Sequence, residues 1–311
     1  MMTKKPGYIL PGDMIAVVAP SGKVKPEEVL PTMAWLERRG YRIWQGAHLL
    51  GGCFQFSGTT YERLADLQEA LDHPEVKAII FARGGYGLVH LADRIRPDGF
   101  LKNPKWLAGY SDITILHNMS AGLGIPSLHG PMLRGSTGPD GNPSGSFESM
   151  MQILEGNGAN YTFDARPHNR AGLAQAPLTG GNLSILYSLL GTPFDIDTEG
   201  KILFIEDIGE YLYHIDRMMH SLKLAGKLQK LKGLVVGQFT DVRDNPEPFG
   251  KNVEEIISHA VAGYEYPVCF GFQAGHEKTN HPMILGHRWR LAVTAETVTF
   301  SELIDETGKP A

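Results

Sequence analysis

Cysteine is scarce in this chain of 311 residues, which contains only Cys53 and Cys269. The two lie far apart and match neither a metal-binding nor a redox spacing, so we expect two reduced structural thiols. Long hydrophobic runs are also missing: no apolar stretch reaches about 18 residues, so no membrane span is predicted. The first residues include two lysines but no apolar core of a signal peptide, and we therefore expect a cytoplasmic location.

An excess of positive charge is absent as well. The chain has 29 lysine and arginine residues against 34 aspartate and glutamate residues, a formal net charge of -5. The basic residues are scattered rather than grouped in a stripe, which argues against a nucleic-acid partner. With 42% hydrophobic residues the chain can bury one large core or two moderate ones. A peptide or another small molecule is the expected partner.

Strand-like and helix-like segments alternate through the first half of the chain. The apolar patterns predict strands at 13–19, 41–44, 76–82, 106–109 and 125–128, and helices at 29–39, 60–71 and 89–95. Such alternation is typical of a parallel, doubly wound sheet. Active sites in these sheets lie beyond the carboxyl ends of the strands.

The second half of the chain has a different pattern. It predicts helices at 183–190 and 211–224 and strands at 201–205, 233–238, 268–272, 289–293 and 298–300. We expect a smaller mixed or barrel-like α/β sheet there. The connecting region has weak periodicity and follows a stretch rich in glycine, proline and serine. We therefore predict an N-terminal α/β domain over 1–160, a linker at about 155–176 and a C-terminal domain over 175–311.

A candidate nucleophile, Ser111, follows a short apolar run that ends at Gly109. A strand-to-helix turn presents such a hydroxyl, which is inert unless a neighbouring base takes its proton. Two candidate partners lie in the second half. Glu206 follows four apolar residues and needs a partner if buried, whereas Asp207 or Glu206 could also cap the next helix. His276 lies on a glycine-flanked loop and is either a general base or an exposed loop residue.

A glycine-rich run, Arg83-Gly84-Gly85-Tyr86-Gly87, follows the predicted strand at 76–82. It lacks the full phosphate-binding fingerprints, so phosphate binding is weakly supported. Adjacent glycines at a strand end turn a backbone N–H toward an oxyanion, or they form a plain turn. His129, after another predicted strand, and Gly180-Gly181-Asn182 are candidate linings of a cleft.

The histidines late in the chain do not form a zinc motif. His276 and His281 are five residues apart, whereas the helical H-E-x-x-H motif needs a spacing of four. Gly275 before them and Pro282 after them also disfavour a helix. We predict no metal and no other cofactor.

Several of these short motifs occur together in an order typical of one family. The chain resembles the LD-carboxypeptidases, the murein tetrapeptide carboxypeptidases, from about residue 7 to about residue 295. Each motif is short, but their joint order is specific. The motifs are Arg83-Gly84-Gly85-Tyr86-Gly87, Gly109-Tyr110-Ser111-Asp112, His129-Gly130-Pro131, Gly180-Gly181-Asn182-Leu183, Phe204-Ile205-Glu206-Asp207, Tyr213-His214-Ile215-Asp216-Arg217 and Gly275-His276.

The resemblance implies a serine peptidase with a Ser-Glu-His triad. Here the triad is Ser111, Glu206 and His276, with the nucleophile on the N-terminal domain and its partners on the C-terminal domain. The implied oxyanion hole is the backbone N–H of Asp112 together with that of Gly85 or its neighbour. We expect the backbone N–H of Asp112 to matter more than its carboxylate.

Other residues are implied to bind substrate. A carboxypeptidase must bind a free carboxylate, and Arg83 is a candidate ligand with Gly84 and His129 nearby, although an arginine there could also brace the turn. The chain order of the triad is that of α/β-hydrolases, but Ile113 stands where their second glycine is, so the resemblance implies a separate solution to the same geometry.

The implied substrate is a muropeptide tetrapeptide, cut between the L-centre of diaminopimelate or lysine and the terminal D-alanine during peptidoglycan recycling. The family also suggests a cytoplasmic homodimer without a nucleic-acid or membrane partner. Two alternatives remain. One is the related microcin-immunity branch, which cleaves peptidyl or aminoacyl adenylates with an aromatic-bearing loop; the four tryptophans here lie in predicted helices or strands. The other is a non-catalytic α/β ligand-binding module.

Overall fold

The computed structural model of the chain describes residues 5–138 and 141–303. These residues form two compact units. The first comprises the described residues up to Asn157 together with His281–Met283, and the second comprises Gly158–Asn280 and the described residues from Ile284 onward. Each unit combines helices with a β-sheet. The expected α/β class is therefore confirmed.

The first unit is built on a parallel sheet. Its strands are β1 (Met14–Val18), β2 (Arg42–Gln45), β3 (Val76–Phe81), β4 (Trp106–Gly109) and β5 (Ser127–His129), and its helices are α1 (Pro26–Arg38), α2 (Thr60–Asp72), α3 (Asp98–Lys102), α4 (Thr114–Gly122) and α5 (Gly145–Leu154). The strand order is β5-β4-β3-β1-β2, all neighbours are parallel, and the return of the chain at Met283 adds a short strand beside β5.

Local sequence explains why these elements form. Residues 15–18 and 78–81 are fully buried, as expected for central parallel strands covered on both faces. Helix α2 begins at a capping box, in which the Thr59 hydroxyl accepts from the N–H of Glu62 and the Glu62 carboxylate accepts from the N–H of Thr59. Because the strands are parallel, their carboxyl ends share one edge of the sheet, and the loops after β1, β3 and β4 lie along that edge.

The helix predicted over 89–95 is wrong. The chain forms two short 3₁₀ turns there, Leu88–His90 and Ala92–Arg94. Gly87, just before these turns, has a φ of +124°, and the backbone is already extended at Ile95. Pro97 also disfavours a helical conformation in the residue before it.

The second unit has a mixed sheet, as predicted. From residue 158 onward the strands are β6 (Asn160–Asp164), β7 (Gly172–Asn182), β8 (Ile202–Ile208), β9 (Gly233–Thr240), β10 (Val268–Cys269), β11 (Met283–Leu285), β12 (Arg288–Val293) and β13 (Thr297–Glu302), and the helices are α6 (Leu183–Ser188), α7 (Leu212–Leu224) and α8 (Val253–Ala260). Seven strands follow the order β10-β9-β8-β7-β12-β13-β6, parallel from β10 to β7 and antiparallel beyond. The remaining strand, β11, starts at Met283 within the first unit and belongs to the sheet of that unit, next to β5.

One strand and the start of another lie in the segment 155–176, which the sequence suggested to be a linker. Strand β6 and the first residues of β7 pair with β13 and β12 there. Strand β6 is at the edge of the sheet, and its side chains alternate between half-buried and exposed. This explains why its apolar pattern is too weak to predict. None of the helices in the described ranges combines the length and the apolar character needed to cross a bilayer.

The parallel pair β7 and β8 requires a glycine at Gly180. Its φ is +134°, and a Cβ placed there would lie 1.9 Å from the carbonyl oxygen of Phe204, its partner in the ladder. Only glycine allows the two backbones to approach so closely.

Replacing Gly180 by alanine should therefore destabilise the protein. We expect Gly180→Ala to lower the free energy of unfolding by about 2–5 kcal/mol, because strain at positive φ adds to a backbone clash. Urea unfolding followed by circular dichroism measures this loss. The matched control is Gly122→Ala at the exposed end of α4, where a Cβ meets nothing within 4 Å. Equal unfolding midpoints for the two variants would contradict this account of the β7–β8 contact.

Candidate active site

Ser111 lies at the turn between β4 and α4, as the sequence predicted. A 3₁₀ turn, Ser111–Ile113, leads from the strand into the helix. Ser111 has a φ of +63°, which is the left-handed region that non-glycine residues rarely adopt. Such a conformation costs about 1–3 kcal/mol and persists only where the surroundings fix it. Strain of this kind is often found at functional sites.

The loop after β3 packs directly against this turn. A Cβ on Gly84 would lie 3.0 Å from the Cβ of Ser111 and 3.2 Å from the carbonyl oxygen of Tyr110. The next residue, Gly85, is exposed and has a φ of +105°. The structure thus brings Ser111 together with the glycine pair that the sequence singled out.

The side chain of Asp112 is buried beneath the same turn. Its Oδ2 accepts hydrogen bonds from the hydroxyl of Ser21 at 2.6 Å and from the N–H of Leu88 at 2.9 Å. Burial raises the pKa of Asp112 above its ordinary value, although these hydrogen bonds act in the opposite direction. The carboxylate therefore has a structural environment that the sequence did not suggest.

Arg83 and His129 are the other candidates in the first unit. Arg83 donates a hydrogen bond from Nη1 to the carbonyl oxygen of Lys23 at 2.8 Å. Burial lowers the pKa of Arg83, and the charge of Arg134 adds to this effect. His129 is fully buried, with its ring centroid 6.0 Å from that of Tyr110. Arg83 therefore braces the loop after β1, and His129 packs edge-on against the ring of Tyr110, the residue before Ser111.

In the second unit, Glu206 and His276 form a hydrogen-bonded pair. Glu206 lies inside β8 with no part of its side chain exposed, and its Oε2 is 2.8 Å from Nδ1 of His276. Because a carboxylate only accepts, this geometry places the ring proton on Nδ1. The second nitrogen, Nε2, is then left as a base, and 13% of the His276 side chain is exposed.

The loop around His276 is held by its neighbours. A register shift between β8 and β9 places one extra residue of β9 opposite Glu206, a bulge of the kind found beside active sites. Gly275 has a φ of +141°, and a Cβ there would lie 3.1 Å from Oε2 of Glu206. The side chain of Gln238 accepts from the N–H of Glu277 at 3.3 Å. No motif in the sequence points to Gln238.

Asp207, beside Glu206, caps a helix other than the one expected. Its carboxylate accepts from the amide of Asn182 at 2.9 Å and from the N–H of Ser184 at 2.8 Å, so it caps α6 rather than the following helix α7. Burial, together with the charge of Glu206, raises the pKa of Asp207 to about 7.

The pKa of His276 is raised above its ordinary value. Burial lowers it, but the hydrogen bond and the charge of Glu206 outweigh burial, and Asp207 adds to their effect. In the described parts of the chain no three histidine, cysteine or carboxylate side chains are grouped to hold a metal ion. Cys53 and Cys269 are both free thiols, as predicted.

Comparison with known families decides the identity of the fold. Residues 15–130 match the model of the LD-carboxypeptidase N-terminal domain, and residues 175–291 match that of the LD-carboxypeptidase C-terminal domain. The chain belongs to the LD-carboxypeptidase family. As a member of this family it is a serine carboxypeptidase, a hydrolase.

Individual relatives of this LD-carboxypeptidase span nearly its whole length. A probable murein peptide carboxypeptidase of Bacillus subtilis is 34% identical over 97% of this chain and 96% of its own. The crystal structure of a muramoyltetrapeptide carboxypeptidase from Oxalobacter formigenes superposes with a TM-score of 0.84 at 27% identity, covering 93% of this chain and 98% of the other. The microcin C7 self-immunity protein MccF of Escherichia coli is 26% identical over 80% of each chain.

The Glu206–His276 pair should be visible in the titration of the ring. We expect His276 to titrate above its ordinary value of about 6.5, and Glu206→Gln to lower its pKa because the hydrogen bond to a carboxylate and its charge are both lost. NMR signals of the histidine rings, followed against pH, measure both values. His281, whose pKa is lowered by burial, is the comparator in the same spectra. An unchanged His276 titration in Glu206→Gln would rule out this pairing.

Proposed function

We propose that this LD-carboxypeptidase removes the terminal D-alanine from muropeptide tetrapeptides in peptidoglycan recycling. The bond cut lies after the L-centre of diaminopimelate or lysine. The observation that carries the proposal is the Glu206–His276 pair, in which a buried carboxylate orients a partly exposed histidine. The likeness to proteins named murein peptide and muramoyltetrapeptide carboxypeptidases supports this substrate class.

Ser111, Glu206 and His276 are the proposed triad. Ser111 comes from the domain assigned to 1–160, and its two partners come from the domain assigned to 175–311. The strained turn at Ser111 supports its assignment as nucleophile, since a left-handed serine is rarely kept without a function.

The proposed chemistry follows from the roles of the three groups. Nε2 of His276 takes the proton of the Ser111 hydroxyl while Oγ attacks the carbonyl carbon of the scissile amide. The resulting imidazolium, stabilised by Glu206, then protonates the nitrogen of D-alanine as the C–N bond breaks. Water attacks the acyl-enzyme while His276 accepts its proton, and His276 then returns that proton to Oγ of Ser111 as the bond to the acid product breaks. Because His276 must be neutral to begin, the rate should fall as the pH drops through its raised pKa.

Backbone N–H groups stabilise the oxyanion in this proposal. The donors are Asp112, the residue after the nucleophile, and Gly85, which is exposed and has a φ of +105°. One such donor contributes about 3 kcal/mol to transition-state stabilisation, a hundredfold or more in rate. The contact between Gly84 and Ser111 supports this arrangement because it fixes the loop against the turn.

Arg83 is the proposed ligand of the substrate's free carboxylate, beside Gly84. Since Nη1 already donates to Lys23, the remaining N–H groups of the guanidinium serve the substrate. His129 is fully buried, so it supports this site by packing edge-on against the ring of Tyr110 rather than by contacting the substrate. We also propose a cytoplasmic homodimer, as the resemblance implies, and light scattering after size exclusion would report its mass.

Cleavage of peptidyl adenylates is the second candidate function, and one surface feature favours it. Phe56, Tyr86 and His90 form a cluster of rings beside Gly85, with centroids 5.3–6.3 Å apart. Tyr86 is 52% exposed, and nearby Phe54 is 91% exposed. Such rings can stack on a purine. The tryptophans alone did not indicate this surface.

Release of D-alanine tests the proposed function. The wild-type protein should release D-alanine from a UDP-linked murein tetrapeptide, and Ser111→Ala should lower the rate by at least about 10³-fold because the nucleophile is lost. Mass spectrometry of the products measures both. The control is Ser120→Ala in α4, the helix that follows Ser111; the hydroxyl of Ser120 donates to the carbonyl of Ile125.

The same assay separates the alternatives. Cleavage of a peptidyl adenylate without release of D-alanine from the tetrapeptide would favour the second function. If neither substrate is cut and a fluorophosphonate fails to label Ser111, the chain is a non-catalytic binding module.

A further inference from the structure

Two buried charged residues in the first unit have no role in the proposed triad. Arg63 on α2 is 2% exposed, and Asp112, which follows Ser111, is 1% exposed. Burial of a single charge is strongly unfavourable unless partners compensate for it. Both residues contact the same two loops, those that follow β1 and β3.

Arg63 binds three backbone carbonyl groups. Its Nη1 donates to the oxygen of Pro20 at 2.6 Å and to that of Gly87 at 2.9 Å, and its Nε donates to Gly58 at 3.2 Å. The ring of Phe56 lies under the guanidinium, 4.7 Å away. Arg63 therefore joins the loop after β1 to the loop after β3.

Asp112 binds the residues adjacent to those held by Arg63. Its Oδ2 accepts from the hydroxyl of Ser21, next to Pro20, and from the N–H of Leu88, next to Gly87. Each loop is thus held at two consecutive residues, one through its carbonyl group by Arg63 and the next by the carboxylate of Asp112. We call these two side chains and their four partners, Pro20, Ser21, Gly87 and Leu88, the loop clamp.

Gly87 shows that the clamp needs a specific backbone. Its φ is +124°, and a Cβ there would lie 2.7 Å from the ring of Phe56 and 3.0 Å from Nη1 of Arg63. Only a glycine lets the loop come this close to the guanidinium. This requirement is independent of the hydrogen bonds.

The clamp fixes the far end of the proposed oxyanion loop. Gly84 and Gly85 lie just before Gly87, and the N–H of Gly22 holds the near end by donating to the carbonyl of Gly84 at 3.1 Å. The backbone of Asp112 carries the second proposed oxyanion donor. Asp112 therefore carries one proposed donor on its own backbone and, through its carboxylate, binds the loop that carries the other. Donor positions matter on the scale of a few tenths of an ångström, because the bonds to an oxyanion are 2.7–3.1 Å long.

We propose that Arg63 and Asp112 are positioning residues that hold the Gly84–Leu88 loop in register with Ser111 for the oxyanion of the transition state. The proposal rests on the proposed function, in which Ser111 is the nucleophile. It changes the expected role of Asp112, because its carboxylate becomes as important as its backbone N–H. Arg63 and Asp112 act together, because the residues that Asp112 binds are adjacent in sequence to those that Arg63 binds.

Steady-state kinetics with the murein tetrapeptide test the proposal. Asp112→Ala and Arg63→Met should each lower kcat on the order of 10²-fold, the effect of a misplaced oxyanion donor, while KM changes by less than about threefold. Asp112→Asn keeps an oxygen that accepts from Ser21 and Leu88, so it should recover most of the loss. The double variant should be little slower than either single variant, because residues that act as a unit are not additive.

Lys105→Met is the matched control for general destabilisation. Lys105 is also fully buried in the first unit and donates to two carbonyls, those of Ala70 at 3.1 Å and His73 at 2.7 Å, but it precedes β4 rather than following it. We expect this variant to lose stability and keep its kcat. If Lys105→Met lowers kcat as much as Arg63→Met does, the positioning role is wrong.

The rate at which a fluorophosphonate phosphonylates Ser111 also depends on the position of the oxyanion donors, and its measurement needs no peptide substrate. Its rate should fall in Asp112→Ala and Arg63→Met and recover in Asp112→Asn, even if the tetrapeptide is not the substrate. Failure of the wild-type protein to cut the tetrapeptide therefore counts against the proposed function alone. Unchanged labelling rates in folded Asp112→Ala and Arg63→Met proteins overturn the loop clamp as a positioning device.

Discussion

The main constraint on the second unit is the fully buried carboxylate of Glu206, which lies inside strand β8. Glu206 must find a donor, and His276 supplies it. The glycine at 275, the bulge in β9 and the contact of Gln238 with the loop all bring that ring to the carboxylate. In the first unit the unfavourable feature is the left-handed backbone of Ser111, which contacts from the loop after β3 stabilise.

The sequence predicted those parts of the fold in which local pattern and burial agree. Central strands such as β1 and β3 are covered on both faces, so they are continuous apolar runs, and the turn at Ser111 follows directly from where β4 stops. Strand β6 was missed because an edge strand is only half-buried. The partners of Asp112 were missed for another reason: Ser21 is 91 positions away, and nothing local marks a contact of that range.

Residue types alone did not distinguish the two histidine–glutamate pairs of the second unit. His287 and Glu302 are joined through Nδ1 just as His276 and Glu206 are. The side chain of His287 is 5% exposed and its carboxylate is fully buried, which suits a role in joining β12 to β13. His276 is 13% exposed and lies on a loop. The exposed fraction of the side chain and its position on a loop, rather than the pair itself, separate the candidate base from the structural contact.

The left-handed serine has a consequence for how this protein can change over time. Glycine is the residue that best tolerates the backbone of position 111, and it is also a residue that has no hydroxyl. Greater stability and nucleophilic chemistry therefore favour different residues at the same position. Variants selected only for resistance to heat would drift toward glycine there, and they would lose the hydroxyl on which the proposed mechanism depends.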